Sequence, residues 1–306
     1  MDTRVNAPNR PLLAMALRLA AVAVLATLSM TIKFTVDSGV AFPEALFWRQ
    51  IATIPLLLGW LALRGETRRL RTRRLPAQFR RALMGAVGMG FTFGAPVLLP
   101  LAEATTLGFT TPIFAVIFSA ILLKERVGRY RWAAVLLGFA GVLVIARPDG
   151  HLPLLGSLVG LGAGVMVALI RSLVRDLTRT DVPLSIVFWF AALSTPVLAL
   201  FLPFYASAHT PQQWALIGAL GVLGCVGQLL LTASLRFGQV ASVIVMDYSA
   251  LAWATIYGWA IWGDTPASST WQGAPLILAA GLVIVWREHR LGKQPLVAGT
   301  LPAEVS

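Results

Sequence analysis

The sequence predicts an all-α membrane protein, with ten transmembrane helices in two inverted five-helix repeats. Three observations predict it. The chain is too apolar for a soluble domain. Its apolar runs are each about long enough to cross a bilayer. One stretch is written twice, and the span count places the second copy upside down relative to the first.

The composition sets the class. Of 306 residues, 57% are apolar and 12% charged, with a mean hydropathy of +0.77. Soluble domains run to roughly 45–50% apolar and 25% charged. The net charge of +12 raises the question of nucleic acid. The arginines, however, sit in short segments between long apolar runs, with no basic stripe carrying interleaved aromatics. No nucleic-acid partner is expected, and membrane lipid is. The one cysteine, Cys225, lies inside an apolar run and is expected to be a small packing residue.

A spanning helix needs about 20 mostly apolar residues. Ten runs qualify: 14–34, 43–63, 82–101, 103–123, 130–147, 153–170, 183–204, 213–235, 240–262 and 271–287. The first is too long for the apolar core of a signal peptide and is read as a retained span. Residues 82–123 are almost continuously apolar. As one helix they would be about 63 Å long, twice the hydrocarbon thickness. Pro96 and Pro100 therefore divide them, with Glu103 at the turn.

The echo fixes the organisation. Gly85-Ala86-Val87-Gly88 returns as Gly224-Cys225-Val226-Gly227, 139 residues later. At the same offset Phe109 falls on Tyr248, Phe114 on Trp253, Phe118 on Tyr257, Glu125 on Asp264 and Trp132 on Trp271. A long internal repeat outranks local readings. It divides the chain into a tail (1–11), a first repeat (12–148, spans one to five), a second repeat (149–290, spans six to ten) and a second tail (291–306).

Orientation follows from Lys and Arg in the short loops. With both termini cytoplasmic, every basic residue falls on the inner side except Arg147 in an outer loop and Lys33 and Arg49 within spans. The segment 64–81 alone holds eight arginines, read as a topology signal that also attracts anionic lipid. Five spans per half is an odd number, so the halves insert in opposite senses. Inverted repeats are a recurrent plan of secondary transporters, with the site near the midplane.

Ionisable and polar residues in apolar runs are costly and so informative. Asp247, beside Tyr248 in span nine, is the sharpest candidate for binding substrate or a proton; helix capping, or a structural ion pair with Arg236, is the alternative. Gln228, Phe91 and Trp253 are further candidates to line a substrate cavity. Lys33, Glu44, Arg49 and Glu103 lie in the outer thirds of their spans and could form an outer gate. In it Glu103 is the better partner for Arg49, and Lys33 taken alone reads as a snorkelling side chain. Gly85, Gly88, Gly224 and Gly227 are expected to let helices pack closely or bend. Nothing has the pattern of a catalytic or metal site. His151, His209 and His289 all lie in loops or the tail, and no ATP-binding motif is present. No cofactor is expected.

These residues resemble paired EamA domains of the drug/metabolite transporter superfamily. The resembling motifs are Pro43-Glu44 with Arg49, Leu99-Pro100-Leu101-Ala102-Glu103-Ala104, Leu122-Leu123-Lys124-Glu125-Arg126, Gly227-Gln228-Leu229-Leu230, Asp247-Tyr248 and Gly263-Asp264 with Pro266. The resemblance implies ten helices around a central cavity, alternating access and a small-molecule substrate, acting as monomer or homodimer in the cell (inner) membrane. An amino acid or related compound moved outward is the expected cargo. Uptake of a vitamin or nucleobase is the alternative, and a channel or a polytopic enzyme stands further off.

Overall fold

The computed structural model describes residues 11–122, 128–145, 153–237 and 245–290. The Lys124-Glu125-Arg126 turn, Arg147, His151, residues 1–10 of the first tail, the second tail and the start of span nine lie outside the described residues.

Within them the chain is helical, and no strand is present. In order come α1 (Pro11–Asp37), α2 (Phe42–Leu63), α3 (Leu75–Leu98), α4 (Leu101–Gly108), α5 (Thr111–Leu122), α6 (Arg129–Ile145), α7 (Leu154–Leu177), α8 (Pro183–Ala199), α9 (Leu202–Tyr205), α10 (Pro211–Phe237), α11 (Ser249–Tyr257) and α12 (Ser268–Arg290). Six stretches are long and apolar enough to cross a membrane, one of them made of α4 and α5 together. Shorter apolar helices cover Trp132–Ile145, Pro183–Ala199 and Ser268–Ile284. Burial runs opposite to that of a water-soluble protein. Leu63, Leu136, Leu143 and Trp271 are over 60% exposed, whereas Arg49, Glu44 and Glu103 are 1–2% exposed. Lipid is the solvent for such a surface, and the polar groups turn inward. The chain is a multi-pass membrane protein.

Three expected spans differ. The third helix starts at Leu75, not at residue 82. Pro76 sits in its first turn, where proline is tolerated because that N–H has no intrahelical partner. Arg80 and Arg81 are therefore in the helix rather than in the loop. The loop itself is pinned: Leu70 is buried, and its carbonyl accepts from Ser185 Oγ (3.2 Å) and Trp189 Nε1 (2.8 Å).

The fourth span is broken at Phe109-Thr110. Pro112 has no N–H for the Gly108 carbonyl and disfavours helix in the residue before it. A hydroxyl serves the freed carbonyl, Thr111 Oγ1 donating to Gly108 O (2.8 Å), while Thr110 Oγ1 joins the Thr110 N–H on Leu107 O (2.6 and 3.1 Å). A break inside a bilayer needs such replacements.

The described part of the ninth span is also irregular. A 3-10 turn (Val245–Tyr248) leads into α11, and a π turn (Gly258–Trp262) ends at Gly263, whose φ of 69° favours glycine. Phe109, at the break, and Tyr248, at the end of the 3-10 turn, occupy matching places in the echo.

The main packing partners cross between the two halves of the sequence. α1 lies on α10, α3 on α7 and α8, α2 on α8 and α10, and α6 on α12. Glycines set the closest approaches. A Cβ on Gly88 would stand 2.5 Å from Ile170 Cδ1 of α7, and one on Gly227 2.7 Å from Leu25 Cδ2 of α1.

Candidate functional site

At the start of the irregular span, Asp247 is held by two arginines from distant parts of the chain. Its Oδ1 accepts from Arg18 Nε of α1 (2.5 Å). Its Oδ2 accepts from Arg18 Nη2 and from Arg171 Nη2 of α7, both at 2.7 Å. The side chains of Arg18, Asp247 and Arg171 are 4%, 15% and 31% exposed. The bidentate fork of Arg18 on a carboxylate is a strong, directional contact. Two cations face one anion, so the cluster keeps one positive charge. The 3-10 turn brings Asp247 to this point, and Ser249 Oγ caps it on Met246 O at 2.7 Å. The expected alternative partner, Arg236, has a side chain outside the described residues.

A small cavity of ≈ 20 Å³, room for a water or two, adjoins the cluster. It is bordered by Gly108, Phe109, Thr111 and Pro112 from the break in the fourth span, and by Arg171, Asp247 and Tyr248. The Phe109 and Tyr248 rings meet edge to face at 5.1 Å. The Tyr248 hydroxyl is buried without a partner among the described residues, against Gly281 of α12. Trp253 is 37% exposed and stacks on Tyr257 at 5.9 Å, whose hydroxyl meets Thr27 Oγ1 of α1 at 2.8 Å. Phe91 lies instead against Gly162 of α7, and Gln228 is half-buried on α10.

The four outer candidates do not form one network. Glu103 Oε1 accepts from Ala267 N and Thr270 Oγ1, each at 3.0 Å, tying α4 to the start of α12. Glu44 Oε1 meets His209 Nε2 at 2.7 Å and accepts from Trp48 Nε1 at 3.2 Å. Lys33 does not snorkel: it is buried, donates to Leu99 O at 2.9 Å and stands 5.4 Å over the Trp262 ring. Arg49 is far from Glu103 in the packing, because α2 lies on α8 and α10 while α4 lies on α7 and α11. Its contacts are Gln50 Oε1 (3.0 Å), Met89 Sδ (2.8 Å) and the Phe93 ring.

The packing glycines divide into two pairs. Gly88 and Gly227 receive hydrophobic side chains of α7 and α1. Gly85 and Gly224 receive arginines: Arg81 Nη1 lies against Gly85, and Arg49 Cγ and Nε would stand 2.9 and 3.1 Å from a Cβ on Gly224.

Arg18, Arg171, Arg81 and His209 escape a reading by hydropathy, which treats them as loop or topology residues. For Arg81 the signal was Pro76 followed by good helix formers. For Arg18 and Arg171 it was their place one or two turns inside an apolar run.

The model of the EamA-like transporter family matches the chain twice, over residues 12–147 and 154–286. A pseudopaline exporter of Pseudomonas aeruginosa is 30% identical over 243 residues, 79% of this chain and 85% of that protein. A riboflavin transporter of Rhizobium johnstonii is 32% identical over 267 residues, 83% of this chain and 85% of its own. One of Vibrio cholerae is 27% identical over 248 residues, 80% and 83% of the two chains. A solved crystal structure superposes with a TM-score of 0.61 at 21% identity, covering 91% of this chain and 98% of that one, a likeness of fold. The chain belongs to the EamA-like transporter family, in the drug/metabolite transporter superfamily.

Proposed function

We propose that this protein is a secondary transporter that moves a small organic metabolite across the cell inner membrane by alternating access. An amino acid or related compound is the cargo and export the direction, with both termini cytoplasmic. Ten spans in two inverted five-helix repeats, 12–148 and 149–290, supply the two halves that rock. The cross-half packing supports this reading, since α1 on α10 and α3 on α7 are the exchange a twofold relation would produce.

The observation that carries the proposal is the double clamp on Asp247. α1 and α7 are the first helices of the two halves, and one carboxylate joins both. This cluster lies among the basic segments and closes the inner side. The contacts of Glu103, Lys33 and the Glu44–His209 pair close the outer side. Only one set need be intact at a time. Asp247 releases its arginines when protonated or when a substrate group replaces it, which couples binding to opening. Tyr248 and Trp253 continue the path beside it, and Phe91 and Gln228 are assigned to its further course along α3 and α10.

Counterflow in proteoliposomes tests the reading. The protein should exchange a labelled solute saturably, and Asp247→Asn should slow exchange at least tenfold. Flux that never saturates, or an Asp247→Asn variant as fast as the parent, would overturn it. A second reading, uptake of a riboflavin-like compound, is favoured by the names of the Rhizobium and Vibrio relatives. Riboflavin as the counterflow solute decides between the two.

A further inference from the structure

Arg49 and Arg81 are 1% and 5% exposed, and neither has a carboxylate partner among the described residues. Arg49 uses Nη1 on Gln50 and Met89, while its Nε and Nη2 are buried with no partner among the described residues. Those two atoms share one edge of the guanidinium, and that edge is the fork that takes a carboxylate with two parallel hydrogen bonds. Arg81 has Nε and Nη1 buried without partners among the described residues, two donors on different edges of its guanidinium. Each cation lies on an aromatic face, Arg49 at 4.9 Å from the Phe93 ring and Arg81 at 3.9 Å from that of Phe190. Such faces attract a cation without neutralising it.

The two guanidiniums are neighbours. Arg81 folds up against Gly85, and Arg49 reaches Met89 and Phe93. Gly85, Met89 and Phe93 follow one another at four-residue spacing on one face of α3. The cations therefore stand about one turn, roughly 6 Å, apart along the helix. Gly85 lies about 15 Å and Met89 about 21 Å from the start of α3, near the middle of the span. The echo explains the room they have, since Gly85 and Gly224 are its paired glycines and each accommodates one arginine. Two uncompensated buried charges are expensive. A protein retains them where an anion completes the set.

We propose that Arg49 and Arg81 form an anion-binding subsite, and that the transported metabolite is an organic acid whose carboxylates, preferably two, are taken by these guanidiniums. Gln50, bonded to Ser194 at 2.8 Å, supplies polar contact beside them. The inference rests on the transporter reading above.

The test uses the full-length protein in detergent, with succinate, citrate and glutamate as probes. Succinamide, inorganic phosphate and chloride are the controls. At least one carboxylate probe should raise the melting temperature and bind by calorimetry, and succinamide should not. Arg49→Met and Arg81→Met should each weaken that binding tenfold or more while raising the melting temperature of the ligand-free protein by several degrees. Arg49→Lys keeps the charge but loses the fork, and should also bind at least tenfold more weakly. Lower ligand-free stability in both methionine variants would mark structural arginines and overturn the proposal. So would unchanged binding in them, or response to chloride or phosphate alone. Counterflow separates the two readings. Riboflavin or amino-acid exchange unaffected by Arg49→Met removes the anion subsite and leaves the transporter. Carboxylate binding without saturable exchange of any solute leaves the subsite and removes the transporter.

Discussion

The Phe109 ring meets the Tyr248 ring edge to face, centroids 5.1 Å apart and planes at 76°. These two residues stand at the same place in the two copies of the echo, 139 positions apart, Phe109 at a helix break and Tyr248 where a 3-10 turn passes into α11. Directly beside the contact, Asp247 holds Arg18 and Arg171. The meeting point of the repeats and the clamp between their first helices are thus one structure.

Loss of the Asp247 carboxylate leaves two arginines facing each other without an anion. Asp247→Asn should destabilise the protein by less than the roughly 3–5 kcal/mol of a fully buried pair, because Arg171 is partly exposed. Denaturation in detergent micelles measures this. Arg18→Met should cost more than Arg171→Met, since Arg18 makes two of the three contacts and is more buried.

The broken fourth span invites repair. Pro112→Ala restores an N–H for the Gly108 carbonyl. The variant should melt within about 1 kcal/mol of the parent, the hydrogen bond gained being offset by a freer unfolded chain, and transport more slowly because α4 and α5 then move as one rod. Thr111→Val, which removes the hydroxyl serving Gly108 O, should lower stability by about 1 kcal/mol. Melting curves and counterflow on the pair check both directions.

Glu103, on the outer side in the proposed orientation, acts as an acceptor. Glu103→Gln keeps an oxygen for Ala267 N and Thr270 Oγ1 and should transport normally. Glu103→Ala leaves the Ala267 N–H unserved and should loosen this closure. A Thr270→Cys probe reads it: Thr270 is 2% exposed, and the native Cys225 is 5% exposed. A membrane-impermeant thiol reagent should label Thr270→Cys faster with Glu103→Ala than with Glu103→Gln.

Gly88 and Gly227 set the approach of α3 to α7 and of α10 to α1. Alanine at either would put Cβ 2.5 or 2.7 Å from the end of a flexible side chain that can shift, so each should cost no more than about 1 kcal/mol, the low end of overpacking. Gly90, with open space around it, should accept alanine with no loss in a melting assay.

The sequence carries the membrane class and the family in its composition and motifs, because lipid imposes apolar runs directly on the chain. It also exposes Asp247 and Arg49, since an ionisable group inside such a run stands out. Their partners are another matter. Arg18 and Arg171 lie 229 and 76 residues from Asp247, and near a span end an arginine reads as a topology signal. Arg81 is hidden by the charges around it, although it is buried. Glu103 as partner to Arg49 is a wrong pairing for a packing reason: both are outer, polar and deep, but their helices belong to different clusters. The break at Phe109 is masked by continuous hydropathy, and only Thr110-Thr111-Pro112 marks it.

The most direct measurement is the distance between the inner ends of α1 and α7. Spin labels at Leu13→Cys and Arg179→Cys, in a Cys225→Ala background, report it by pulsed electron resonance in lipid nanodiscs. With Asp247 intact, a short distance should dominate. Asp247→Asn should add a longer population, as release of the clamp lets the halves part. A single distance, the same with and without the carboxylate, would contradict the account.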